Sequence, residues 1–199
     1  MIKSHRTSKR VQNEVKCALI DHDREIAFIL PSRTHSQAFV RAYQHRYPLA
    51  EGASMHSAHF HKLITPSNYK IITFKRDPEE RCISMLCKLL EPIPYGKGNG
   101  LADIYGLNHS SLDKLAHQLI SISPRLRDVA FFYPQQKYIE KAHEIYKFND
   151  VERLNVDFEI AMIPYHVSNQ SFKNHVIAYF KNNPYLLNQL IKRLWSEDT

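Results

Sequence analysis

The chain has 199 residues, 43% of them apolar and 24% charged, which suits one globular domain with a buried core. A net charge of +7 and a pI near 9.3 favour anionic partners: nucleotides, acidic glycans, nucleic acid or anionic membranes. Three cysteines (Cys17, Cys82, Cys87) without a CxxC pair argue against a disulfide framework or a zinc site, no apolar run is long enough to span a membrane, and the basic opening lacks the apolar stretch of a secretory signal, so a reducing cytoplasm is the expected setting.

Residues 1–14 read as a polar, basic arm and 15–199 as a single domain. "VKCALI" (15–20) is a weak strand signal, and "EIAFIL" (25–30), ended by Pro31, is a stronger one. Phe39, Val40 and Tyr43 then recur at helical spacing, up to Pro48. The histidine-rich stretch 51–68 reads as loop, and "YKIITF" (69–74) as a buried, β-branched strand. A helix is predicted from Pro78 to about residue 90. Asp77 caps it, Glu80 completes a capping box, and Cys82, Met85, Leu86, Leu89 and Leu90 form its apolar stripe. Residues 92–111 hold four of the five glycines and read as a surface excursion. A helix over 112–122, a loop over 127–136, a strand over 143–148, a helix over 150–162 and two closing helices complete the chain. Strands alternating with helices over long crossovers predict an α/β layer with a parallel sheet.

Ligands of such sheets sit beyond the carboxyl ends of the strands. Both strand-to-helix turns, "ILPSRTHSQ" and "TFKRDPEER", should open there. A helix N-terminus presents unpaired N–H groups and a partial positive charge, which suit an anion. The first turn adds Ser32, Arg33, Thr34, His35, Ser36 and Gln37, without the glycine and lysine of a Walker loop, so it also reads as an ordinary polar cap. In the second turn Arg76 sits at the strand end and Ser84 eight positions on, sharing a helix face with Arg81. A phosphate beside that helix could take the Arg76 fork and the Ser84 hydroxyl together. The plainer alternative pairs Arg76 with Glu80 and leaves Ser84 an ordinary surface serine.

"KRDPEERCIS" resembles the "RDPxERxxS" segment of the sulfotransferase superfamily, most of all its carbohydrate O-sulfotransferase branch (sulfotransferase family 2). "AFILPSRTHSQAF" is similar to that family's strand and phosphosulfate loop, and "SAHFHKL" to the segment that supplies a catalytic histidine. "DVAFFYPQ", "YKFNDVERLNVDF" and "LIKRLWSEDT" resemble later segments, in order, over roughly residues 24–199. The resemblance implies a P-loop-type three-layer domain, its central parallel β-sheet flanked by helices. It also implies 3′-phosphoadenosine 5′-phosphosulfate (PAPS, which leaves PAP) as donor, with no metal. On that resemblance Arg76 and Ser84 take the 3′-phosphate, Arg81 is a structural partner, and residues 32–37 cradle the 5′-phosphosulfate.

Ser32 stands where the family loop has lysine, Arg33 follows one place later, and Thr34 and His35 replace its glycines. His59 matches the family histidine, with His56 and His61 as alternatives; it would take the proton of an acceptor hydroxyl. Arg33 would stabilise the charge growing on the departing phosphate. The function so implied is sulfuryl transfer to a hydroxyl of a glycan or small molecule. A nucleotide-binding module of the same fold without turnover is the alternative, motivated by the altered loop. A nucleic-acid binder, suggested only by charge and by Lys3, Arg6, Lys9 and Arg10, lacks any recognised motif.

Overall fold

The computed structural model describes residues 16–31, 33–34, 36–52, 63–90, 106–107, 110–126, 134–162 and 170–195. The predicted arm 1–14, the histidine cluster and most of the glycine-rich stretch lie outside them. In chain order the strands are β1 (Lys16–Cys17), β2 (Leu19–Asp21), β3 (Ile26–Ile29), β4 (Glu51–Gly52), β5 (Leu63–Ile64), β6 (Lys70–Lys75) and β7 (Glu144–Lys147). The helices are α1 (Ser36–Arg46), α2 (Pro78–Leu90), α3 (Leu112–Leu126), α4 (Gln136–Ile139), α5 (Val151–Asp157), α6 (Gln170–Asn182) and α7 (Pro184–Trp195).

The central sheet has the order β4-β2-β3-β6-β7, and β1 pairs with β5 in a separate ribbon. The strands joined by long crossovers, β3, β6 and β7, are parallel. β2 runs antiparallel to both of its neighbours, β3 and β4, so the sheet is mixed where a parallel one was expected. The cause is the turn between β2 and β3. The Asp21 carboxylate accepts the backbone N–H groups of Asp23 and Arg24, both at 3.1 Å, and reverses the chain at once. A connection that short permits only antiparallel pairing.

Alternation along the strands sends Phe28, Leu30, Ile72 and Phe74 to one face and Ala27, Ile29 and Ile71 to the other. The first face packs on α1 and α5. Phe39 lies with its ring 4.8 Å from those of both Phe28 and Phe74. Tyr43 closes this aromatic core, and its hydroxyl donates to Asp21 at 2.7 Å. The opposite face meets Tyr138 of α4 and Cys17 of β1. A third apolar cluster is mainly helical, where α2, α3, α6 and α7 bury Met85, Leu119, Val176, Leu190 and Trp195, with Leu107 added from outside the helices. Arg81 is fully buried there, its guanidinium 4.3 Å from the centre of the Trp195 ring.

Other departures from the sequence reading have local causes. "VKCALI" divides at Ala18 between two sheets. α5 stops at Asp157, short of the predicted residue 162. Phe158, Ile160 and Met162 turn into the sheet-side core, and Glu159 between them takes a left-handed φ of 49°. The capping box at α2 is half formed: Asp77 Oδ1 accepts the Glu80 N–H at 3.0 Å, while the Glu80 side chain turns to Arg76.

Replacing Trp195 by alanine removes the largest buried side chain and the ring over Arg81. Trp195→Ala is expected to lower stability by about 3–5 kcal/mol, read as a fall in the urea midpoint; a loss below about 1 kcal/mol would contradict this packing.

Candidate functional site

The two turns singled out from sequence lie side by side because β3 and β6 are parallel neighbours, with Ile29 opposite Thr73. The buried Thr73 hydroxyl donates to the Ile29 carbonyl at 2.6 Å and holds the two strand ends level. Beyond that edge the chain turns at Arg33, whose φ of 68° is left-handed. That conformation is sparsely populated by residues with a Cβ. Here it aims the Arg33 carbonyl at β6, where Arg76 Nη1 donates to it at 3.0 Å. The Arg33 side chain reaches the next helix: its Nε and Nη2 donate to Ser84 Oγ at 3.0 and 2.8 Å. Arg33, Arg76 and Ser84 therefore meet in one place, drawn from the first turn, the end of β6 and the second turn of α2.

Arg76 is 8% exposed, an uncommon degree of burial for a guanidinium. Gln135 holds its backbone at both ends. The amide oxygen accepts the Arg76 N–H at 3.1 Å, and the amide nitrogen donates to the Arg76 carbonyl at 2.7 Å. The guanidinium carbon lies 3.9 Å from the centre of the Phe148 ring. Glu80 stands 3.5 Å from Nε, an ion-pair distance, yet the buried Nε makes no hydrogen bond. Burial lowers the proton affinity of this guanidinium, and the Glu80 carboxylate pushes it back up. A desolvated cation with hydrogen-bonding capacity to spare is suited to an anion. The plainer reading of this turn holds for the Arg76–Glu80 pair but not for Ser84, which is buried and bonded to Arg33.

In the first turn Thr34 is buried and its hydroxyl donates to the Pro31 carbonyl, closing the loop on itself. Ser36 is buried at the first position of α1, and Gln37 is half-buried beside it. Ser32, His35, His56, His59 and His61 lie outside the described residues. Two residues that hold Arg76, Gln135 and Phe148, were missed as site residues. The signal for Gln135 was present, since Pro134-Gln135 closes one of the ordered segments; nothing in the sequence marks Phe148. Lys75 and Lys147 oppose each other in register at the same sheet edge, both exposed and without an ion-pair partner among the described residues. Like charges so placed repel and keep this edge positive.

No family model, curated protein or solved structure matches the chain. Among the described residues no three His, Cys, Asp or Glu side chains are grouped to hold a metal ion, and no helix is long and apolar enough to cross a membrane.

The clamp on Arg76 can be tested through its partner. Gln135→Ala deletes two hydrogen bonds and leaves a buried N–H and a buried carbonyl unpaired. It is expected to cost about 2–4 kcal/mol in urea unfolding. A change within about 0.5 kcal/mol would show that the clamp holds nothing.

Proposed function

We propose that the chain binds 3′-phosphoadenosine 5′-phosphosulfate and transfers its sulfuryl group to an acceptor hydroxyl on a carbohydrate or small molecule. In this reading residues 15–199 form a P-loop-type, sulfotransferase-like domain. The observation that carries it is the meeting of Arg76 and Ser84 across a strand end and a helix flank, joined through Arg33. A ribose phosphate placed there would accept from a buried guanidinium and a buried hydroxyl already held by neighbouring residues. Fixed donors of this kind lose little conformational freedom on binding.

The nucleotide supplies the sulfuryl group. The chain supplies position and charge, which do most of the work in the related case of phosphoryl transfer. The N-terminus of α1 and the turn before it, Ser32 and Thr34 to Gln37, would cradle the 5′ end of the nucleotide, leaving Arg33 to the 3′ side. His59, or else His56 or His61, takes the proton from the acceptor hydroxyl. One observation favours a second reading, a binding module of the same fold without turnover. The Thr34 hydroxyl is donated to the Pro31 carbonyl, within the loop that would have to cradle the phosphosulfate.

Binding and turnover separate the two readings. Adenosine 3′,5′-bisphosphate is expected to raise the melting temperature of the chain, and Arg76→Ala to weaken its binding by about tenfold or more. Incubation with sulfur-labelled donor and mixed glycans or small alcohols is expected to label an acceptor. Binding without any transfer would select the inactive module, and the absence of a thermal shift at millimolar ligand would remove both.

A further inference from the structure

We infer that Arg33 is a specificity residue for the phosphate monoester at Arg76 and Ser84, an inference that rests on the nucleotide reading above. From sequence, Arg33 belongs with the departing 5′ phosphate as a stand-in for lysine. Its atoms are placed otherwise. Two of its N–H groups donate to Ser84 Oγ, at 3.0 and 2.8 Å, and its own carbonyl accepts from Arg76 at 3.0 Å. The residue is therefore pinned at both ends to the proposed 3′-phosphate ligands.

The electrostatics point to a dianion. Two guanidinium groups serve one small site, that of Arg33 on the Ser84 hydroxyl and that of Arg76 on the Arg33 carbonyl. Glu80, the carboxylate paired with Arg76, is half exposed and makes no hydrogen bond to the buried Nε. A phosphate monoester carries close to two negative charges and three acceptor oxygens, enough for both forks and the hydroxyl. A phosphodiester or a sulfate ester carries a single charge. The left-handed backbone at Arg33 belongs to the same device, since it turns the carbonyl to Arg76 and the side chain to Ser84. Backbone outliers of this kind cluster at ligand clamps, where surrounding contacts hold them.

The test compares two nucleotides that differ only at the 3′ position. The full chain, Arg33→Gly and Arg33→Lys are each titrated calorimetrically with adenosine 3′,5′-bisphosphate and with adenosine 5′-monophosphate. Glycine adopts the left-handed backbone freely, so Arg33→Gly deletes the fork and spares the turn. Lysine keeps the charge without the fork. The wild type is expected to prefer the bisphosphate by about tenfold or more, and Arg33→Gly to reduce that preference by about tenfold with little change toward the monophosphate. Arg33→Lys should fall between, and it decides the question alone if circular dichroism shows Arg33→Gly unfolded. A preference unchanged in the folded variants overturns the inference and leaves the nucleotide reading standing. A wild-type chain that binds both nucleotides equally, or neither, overturns the inference together with the 3′-phosphate assignment.

Discussion

The parallel pairing of β3 with β6, in the register that sets Ile29 opposite Thr73, is the constraint from which the site follows. It brings two chain reversals to the same edge at the same height. The Thr73 hydroxyl on the Ile29 carbonyl fixes that height, and the rings of Phe28, Phe39 and Phe74 fix the register from below. A slip of one residue would send Phe74 to the opposite face and break the aromatic core. The position of Arg76 relative to Arg33 is thus a consequence of core packing, and the loop residues inherit it.

Holding two guanidinium groups beside a buried edge is unfavourable unless something compensates. Part of the compensation is visible. Gln135 satisfies the Arg76 backbone, Phe148 offers a ring face worth about 0.5–2 kcal/mol to the cation, and Glu80 approaches from solvent. The left-handed turn at Arg33 adds a cost of about 1–2 kcal/mol. The Lys75–Lys147 pair adds positive charge along the same edge. The cations Arg33, Arg76, Lys75 and Lys147 thus share one end of the sheet. An anionic ligand that accepts from Arg33 and Arg76 would offset the cost of holding them there.

Much of the frame was legible in the sequence, for physical reasons. Two apolar runs named β3 and β6, the stretch 143–148 read as the strand that is β7, and Asp77-Pro78 named the start of α2 to the residue. The Arg76 to Ser84 spacing pointed to a shared location, and the two side chains are joined there through Arg33. What escaped notice depends on contacts distant in sequence. Two-residue strands such as Glu51–Gly52 and Leu63–Ile64 carry no periodicity to detect. The antiparallel half of the sheet turns on the Asp21 side chain, which looks like any surface aspartate in the string. The end of α5 is decided by the burial of Phe158, because an amphipathic pattern cannot distinguish another helical turn from a chain bending into the core. Nothing in the string indicates that Arg33 takes a left-handed φ or donates to Ser84.

The most direct measurement is a crystal structure of the full chain grown with adenosine 3′,5′-bisphosphate. Its 3′-phosphate oxygens are expected within about 3.2 Å of both the Arg76 guanidinium and the Ser84 hydroxyl, a hydrogen-bonding distance to each. A nucleotide seated elsewhere, or one whose 3′-phosphate points to solvent while Arg76 and Ser84 keep only their present partners, would contradict the nucleotide reading at its root.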